Sequence, residues 1–467
     1  MSIRSRREFL THSLNGLGGI ALATLLAEEG AIQTAIADTL SPRKLHYKPR
    51  AKSVIWLHME GAASHVDLFD YKPELEKLAG QPLPKSFQNF NSTTDGGVGL
   101  IMPSIAKFQR RGKSGLWVSD LYPKIAEHAD DLTMIQGCNV LGTTHPVSLF
   151  HLNTGAIAAG RPSLGSWLLY GLGTANRDLP AFVVLTDERD VLGGSANWSS
   201  GFLPGEYQGT RLRREGSPIL HLDRPATIGA EQQRATLDFL KQVNEDQLQH
   251  LVGAEELEAR IQSYELAYRM QSAAPEAVDL SKESEETKKL YGLDDEETRK
   301  IGTNILLARR LVERGVRFVQ VYCGSGSAWD AHQDIVGNHG KWTHRTDKPI
   351  AALLTDLKAR GLLQDTLVVW GTEFGRTPFS QKGKGRDHNP WGFTMWFAGG
   401  GSKPGTVVGA TDEIGMHALD IPMDPHDIHA TIMYMMGLDH LRVTYPHNGR
   451  DERATVNGGR VVKEIFA

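Results

Sequence analysis

Six short runs of apolar and β-branched residues recur along the chain between stretches of helical spacing, at residues 53–59, 132–136, 182–185, 317–322, 366–370 and 394–398. Runs this short and this continuous, without polar alternation, mark strands buried on both faces, as in a sheet covered by helices. Two of them share a common approach. Residues 301–314 place Ile305, Leu306, Leu311 and Val312 at helical spacing, Gly315 stops the helix, and a strand follows; residues 349–360 repeat this, with Gly361 as the stop before Thr366. Helix, glycine and strand in succession predict crossover units. The predicted fold class is α/β, a mostly parallel central sheet with helices on both faces.

Between residues 231 and 295 the pattern changes to long, charged, amphipathic helix, as in Glu255-Glu256-Leu257-Glu258-Ala259-Arg260-Ile261. Nothing in it suggests chemistry, and it is expected to be a helical insertion packed on a single large domain spanning 38–467. Residues 1–37 belong to targeting. Arg6-Arg7 followed by Glu8-Phe9-Leu10, a weakly apolar stretch over 17–27 and Ala35-Ile36-Ala37 as a small-x-small cleavage site appear in the order of a twin-arginine leader. The expectation is passage through the twin-arginine export machinery as a folded protein, to the periplasm or the extracellular space. No later run reaches the roughly 20 apolar residues that span a bilayer, so no membrane span is expected once the leader is gone.

Composition narrows the chemistry. A formal charge of −4, from 51 Lys and Arg against 55 Asp and Glu, argues against a nucleic-acid surface. Cys138 and Cys323 are the only cysteines, too few for a disulfide framework or a thiolate metal cluster. They are open to pairing or to burial as two free thiols. Histidine is abundant, and nine of the 18 lie from His332 onward. Any metal must therefore be held by oxygen and imidazole.

Parallel sheets bind ligands at the carboxyl ends of their strands. Glu60 follows the first run; Thr144 and His145 open a helix after the second; Asp330 and His332 follow the run ending at Tyr322; Glu373 and Arg376 follow Trp370; and His388 precedes the last run. Taken singly these are ordinary: a strand-end Glu is usually solvated, an Asp-x-His spacing arises by chance, and a threonine before a helix is usually a cap. Their shared end of one sheet is the informative feature. A mixed oxygen and nitrogen set suits Zn, Mn, Fe, Mg or Ca according to geometry.

These residues, with Ser64-His65-Val66-Asp67-Leu68-Phe69-Asp70, Gly201-Phe202-Leu203-Pro204, Ser263-Tyr264-Glu265-Leu266, Trp329-Asp330-Ala331-His332 and Glu373-Phe374-Gly375-Arg376-Thr377-Pro378, resemble the alkaline-phosphatase and sulfatase superfamily. More closely, the chain resembles the exported sulfatase-like family known as domain of unknown function fifteen-hundred-and-one. The resemblance implies an alkaline-phosphatase-like fold and divalent metal ions (Zn, Ca, Mg or Mn), Glu60 and Glu373 holding one and Asp330, His332 and His388 another. It places a nucleophile near Thr144, with His145 beside it and Arg376 binding the transferring group. Three departures stand out: no Cys or Arg matches the sulfatase signature, Phe374 sits where the superfamily has a histidine, and Glu60 replaces an aspartate. They leave open a single ion, or two with unusual ligands such as His65, Asp67 or His145. The implied activity is metal-dependent hydrolysis of phosphate or sulfate esters, with a small-molecule or glycan ester as substrate. The alternative is a non-catalytic binding or scaffold protein on a degenerate sulfatase-like fold.

Overall fold

A computed structural model describes residues 40–466 apart from 88–96, 188, 213–223, 251–254, 382 and 457; the predicted leader lies outside the described residues. The six apolar runs all enter one sheet, as β1 (Ser53–His58), β2 (Leu132–Cys138), β3 (Phe182–Leu185), β5 (Phe318–Tyr322), β6 (Thr366–Gly371) and β7 (Phe393–Ala398). Two three-residue edge strands, β4 (Thr210–Leu212) and β8 (Thr406–Val408), complete it in the order β8-β2-β7-β6-β1-β5-β3-β4. All neighbours pair in parallel except β7, which runs against both β2 and β6. β7 is reached from β6 through a small hairpin (Gly375–Ser380 with Arg386–Asn389) and no helical crossover, so the chain can reverse direction.

The main helices are α1 (His145–Thr154), α2 (Leu164–Leu172), α3 (Ala230–His250), α4 (Glu255–Val278), α5 (Glu296–Glu313), α6 (Ile335–Ala359) and α7 (Pro425–Met435). On one face of the sheet Ile55, Leu57, Val319, Val321, Val368 and Trp370 pack against Ile305 and Leu306 of α5 and Leu353 and Leu354 of α6. On the other, Gln320 donates to Asn153 of α1 at 2.8 Å. α2 comes so close that a Cβ on Gly165 would lie 2.6 Å from the ring of Phe182. Helices thus cover both faces. Each fully buried Leu, Ile or Phe contributes about 1.5–3 kcal/mol, which is why period-free apolar runs identified these strands.

α6 begins far before the predicted start at Pro349. Asp334 caps it by accepting from Gly337 N at 3.0 Å, and Pro349 is accommodated inside the helix. In the charged segment, α3 and α4 are bridged by Arg234 and Glu265 at 2.7 Å, and Arg310 of α5 ties the end of α4 to the body through the carbonyls of Glu276 and Ala277, both at 3.0 Å. Cys138 and Cys323 are buried free thiols; burial pushes the Cys138 thiol up to about 12. Among the described residues no helix is long and apolar enough to cross a membrane.

Register fixes where the loops begin. His58 pairs with Tyr322 on one side and with Gly371 on the other. The segments carrying Glu60, Asp330 and Glu373 therefore leave adjacent strands at one level.

Candidate metal centre

The loops are knotted together at Gly61. Its φ is +111°, and a Cβ there would lie 2.6 Å from the backbone nitrogens of both Trp329 and Asp330, so only glycine fits. Gly61 N donates to Glu373 Oε1 at 2.8 Å. Ala62 follows with φ +70°, a left-handed conformation that costs an alanine about 1–2 kcal/mol. The turn is held by the buried Arg376, whose guanidinium donates to the carbonyls of Gly61, Ala62 and Arg386 and to Asp330 Oδ1. Beneath it, Asp67 and Arg386 form a fully buried bidentate pair at 2.9 and 3.1 Å. Burial alone would push Asp67 up; Arg386 and the Ser64 hydroxyl hold it below the usual carboxylate range.

Three imidazoles converge on Asp330, each anchored from behind. His145, the first residue of α1, donates from Nδ1 to Glu373 Oε1 at 2.6 Å. His388, in the hairpin, donates from Nδ1 to the carbonyl of Thr143 at 2.8 Å. His332 donates from Nδ1 to the side-chain oxygen of Gln381. Each partner accepts only, so each Nδ1 carries a hydrogen, and a ring without a second proton presents a bare Nε2. Those atoms meet: His332 Nε2 lies 3.0 Å from His388 Nε2 and 2.9 Å from Asp330 Oδ1, while His145 Nε2, buried and without a hydrogen bond, lies 3.4 Å from Asp330 Oδ2. Lone pairs brought this close repel unless positive charge sits among them. One atom from each of His145, Asp330 and His388 falls within 4.8 Å of the others, a grouping able to hold a metal ion.

The electrostatics agree. Burial would raise Asp330, yet the three imidazoles and Arg376 hold it far below the usual carboxylate range. Burial would likewise raise Glu373, and His145 and His58 hold it well below. Burial would lower His145, but its bonds to Asp330 and Glu373 carry it up to about 9, whereas burial and the nearby cations push His388 down. A group of imidazoles and a carboxylate such as His145, Asp330 and His388 suits Zn or another transition metal better than Ca or Mg, which prefer all-oxygen sites. The partners behind each Nδ1 form the outer layer that sets ring orientation in metal centres.

The predicted residues divide into groups. Asp330, His332, His388 and His145 come together. Thr144 is exposed at the N-cap of α1, its hydroxyl making no capping bond, next to Thr143, whose carbonyl holds His388. Glu373 stands behind His145. Arg376 is buried, each of its three nitrogens donating to a protein acceptor. Glu60 is buried and accepts from Leu192 N at 2.9 Å, Gly326 N at 3.1 Å and Ser327 N at 3.3 Å; burial pushes it up. His65 is turned to the carbonyl of Gly415 at 2.7 Å, and Asp67 is engaged by Arg386. Phe374 packs its ring on His145 and His388, at 4.9 and 4.5 Å between centroids. Two contributors went unread in the sequence. Gln381 carries no signal there. His58, its Nε2 3.3 Å from Glu373 Oε2, had one: a histidine within an otherwise apolar buried strand needs a charged or hydrogen-bonding partner.

Fold and centre together define an α/β protein with a His/Asp cluster fit for a metal ion at the carboxyl end of a mostly parallel sheet. The chain belongs to the family described as protein of unknown function (DUF1501), whose model matches residues 51–466. No curated protein matches the sequence. Among solved structures, the chain is similar to the lipoteichoic acid synthase LtaP from Listeria monocytogenes, at 9% identity over 86% of this chain and 78% of that one, with a TM-score of 0.38. It is also similar to the PsFucS1 sulfatase from Pseudoalteromonas sp., at 13% identity over 90% and 70%, TM-score 0.34. A protein in the alkaline phosphatase superfamily from Vibrio parahaemolyticus is similar at 10% identity over 87% and 71%, TM-score 0.33.

Proposed function

We propose that the chain is an exported, metal-dependent hydrolase of phosphate or sulfate esters, acting on a small-molecule or glycan ester in the periplasm or outside the cell. The observation that supports it is the convergence of three imidazole Nε2 atoms on Asp330, each ring fixed from behind through its Nδ1, beside an exposed hydroxyl at a helix N-terminus. His145, Asp330, His332 and His388 would hold the ion. When bound, it supplies Lewis-acid polarisation of the ester oxygens and activation of a hydroxyl at neutral pH.

The remaining chemistry falls to the chain. Thr144 offers an uncommitted hydroxyl as nucleophile, where the α1 dipole and free N–H groups favour an anionic substrate. Arg376 acts by position: it holds Asp330 and the Gly61–Ala62 turn, and its bonds to protein acceptors leave it little to offer a substrate. Glu373 fixes the tautomer of His145. The twin-arginine pattern of residues 1–37 motivates the exported location, and folded export suits a protein loaded with its ion beforehand.

The test is elemental analysis of the purified protein with hydrolysis of aryl phosphate and aryl sulfate esters, before and after chelation and on re-addition of Zn or Mn. Activity that is lost on chelation and restored by metal is the expected result; protein that binds no metal and hydrolyses neither ester overturns the reading. One observation favours a non-catalytic role: Glu60 and Glu373 are both taken up by protein donors. That role predicts bound metal with no turnover.

A further inference from the structure

We infer that the Glu60–Glu373 position, where the superfamily resemblance implies a metal ion, is closed to metal, and that the chain holds a single ion, at Asp330 and its three imidazoles. This rests on the metal reading of that cluster given above.

Glu60 is spent on structure. Its Oε1 accepts from the backbone of Leu192 at 2.9 Å and Ser327 at 3.3 Å, and its Oε2 from Gly326 at 3.1 Å. The carboxylate thus ties the 192 and 326–327 loops to the end of β1. Drawing it onto a metal would take the acceptor from three part-buried N–H groups, at up to about 1 kcal/mol each.

Glu373 is equally engaged. Its Oε1 takes Gly61 N at 2.8 Å and His145 Nδ1 at 2.6 Å; its Oε2 faces the Thr372 hydroxyl and His58 Nε2, both at 3.3 Å. A metal drawn onto Glu373 Oε1 would compete with His145 Nδ1 and release the ring that the Asp330 cluster needs. Phe374 completes the exclusion: it stands where the superfamily supplies an imidazole ligand, and it fills the space against His145 and His388 with a ring that coordinates nothing. Two histidines, His58 and His145, face Glu373 where the resemblance puts an ion. Glu373 is accordingly a positioning residue for the remaining ion through His145.

The experiment counts ions. The full chain is loaded with excess Zn, desalted and assayed by mass spectrometry for metal per chain, alongside Glu60→Gln and Glu373→Gln, with circular dichroism to confirm folding. The expected counts are one ion in the wild type and one in Glu60→Gln, with Glu373→Gln retaining a single site of roughly 10–100-fold weaker affinity. Two ions in the wild type, falling to one in Glu60→Gln, overturn the inference and leave the Asp330 centre standing. No ion in the wild type overturns the metal reading and the inference with it. Should Glu60→Gln fail to fold, the wild-type count still decides between one and two.

Discussion

Glu60 and Asp330 are carboxylates set just beyond the ends of neighbouring parallel strands, and they have opposite surroundings. Glu60 accepts from backbone N–H donors of two loops. Asp330 is ringed by ring nitrogens whose hydrogens point the other way, plus one arginine, and its side chain is a quarter exposed. Both sites neutralise a carboxylate. One does so with fixed backbone dipoles, against a burial that still pushes Glu60 up; the other does so with Arg376 and converging ring nitrogens, a setting that favours added positive charge. Position at a strand end nominates a ligand, and the direction of the neighbouring hydrogens separates a ligand from a loop clasp.

The sharpest way to break this contrast is Asp330→Asn. The substitution keeps shape but removes the charge on which the imidazoles converge. The expected result is a chain without tightly bound metal and a fall in ester hydrolysis on the order of a thousand-fold, since a Lewis acid supplies several kcal/mol at the transition state. Metal content and kcat/KM report it; a variant that keeps both shows that Asp330 is not a ligand.

A third carboxylate sets the opposite extreme. Asp67 lies wholly buried against Arg386, with Ile105 N and the Ser64 hydroxyl completing its shell. Removing one partner of such a pair strands the other charge, so Asp67→Ala is expected to destabilise the fold by about 3–5 kcal/mol. Metal per folded chain should remain unchanged. Urea denaturation with metal analysis separates the two, and a loss of metal without a loss of stability would place Asp67 in the centre after all.

Glu60→Gln probes the clasp itself. An amide keeps one acceptor but turns a donor toward the N–H groups of the loops, so a stability loss of about 1–3 kcal/mol is expected at constant metal content. A variant as stable as the wild type by urea denaturation would show that those amides do not depend on the charge.

How much of this was legible follows from the same physics. The six interior strands were readable because a strand buried on both faces needs an unbroken apolar run. β4 and β8 were not, because three-residue edge strands such as Thr210–Leu212 carry no period long enough to register. The reversal of β7 was hidden too: composition marks a strand, while its direction depends on the connection before it. In the centre, Asp330, His332, His388 and His145 could be nominated as polar groups at strand ends. The use of His145 could not, because its partner Glu373 is 228 residues away in sequence. Glu60 and Glu373 look alike in sequence to Asp330; what separates them is a set of backbone donors fixed only by loop conformation.

The histidine surplus offers the last and smallest contrast. The centre's rings are anchored on one nitrogen and bare on the other toward a shared focus, whereas His429 of α7 is packed away, donating from Nε2 to Leu152 O at 2.8 Å with its Nδ1 buried and unpartnered. Burial drives its pKa down to about 3, the carbonyl bond opposing and His426 and His151 adding to the fall. The sign follows from which state takes the proton. In the unfolded chain this histidine titrates near 6.5, so below that pH the unfolded state gains a proton that the folded state refuses. The stability is present in full above about pH 6.5 and declines by about 1.4 kcal/mol per pH unit as the pH falls toward 3. His429→Phe cannot take up that proton. It costs some stability at pH 7, because Leu152 O loses its donor, but the slope of unfolding free energy between pH 6 and 4 should be shallower by about 1.4 kcal/mol per unit. Urea midpoints at several pH values measure that slope directly, and a variant as acid-sensitive as the wild type would mean that His429 is protonated inside the fold.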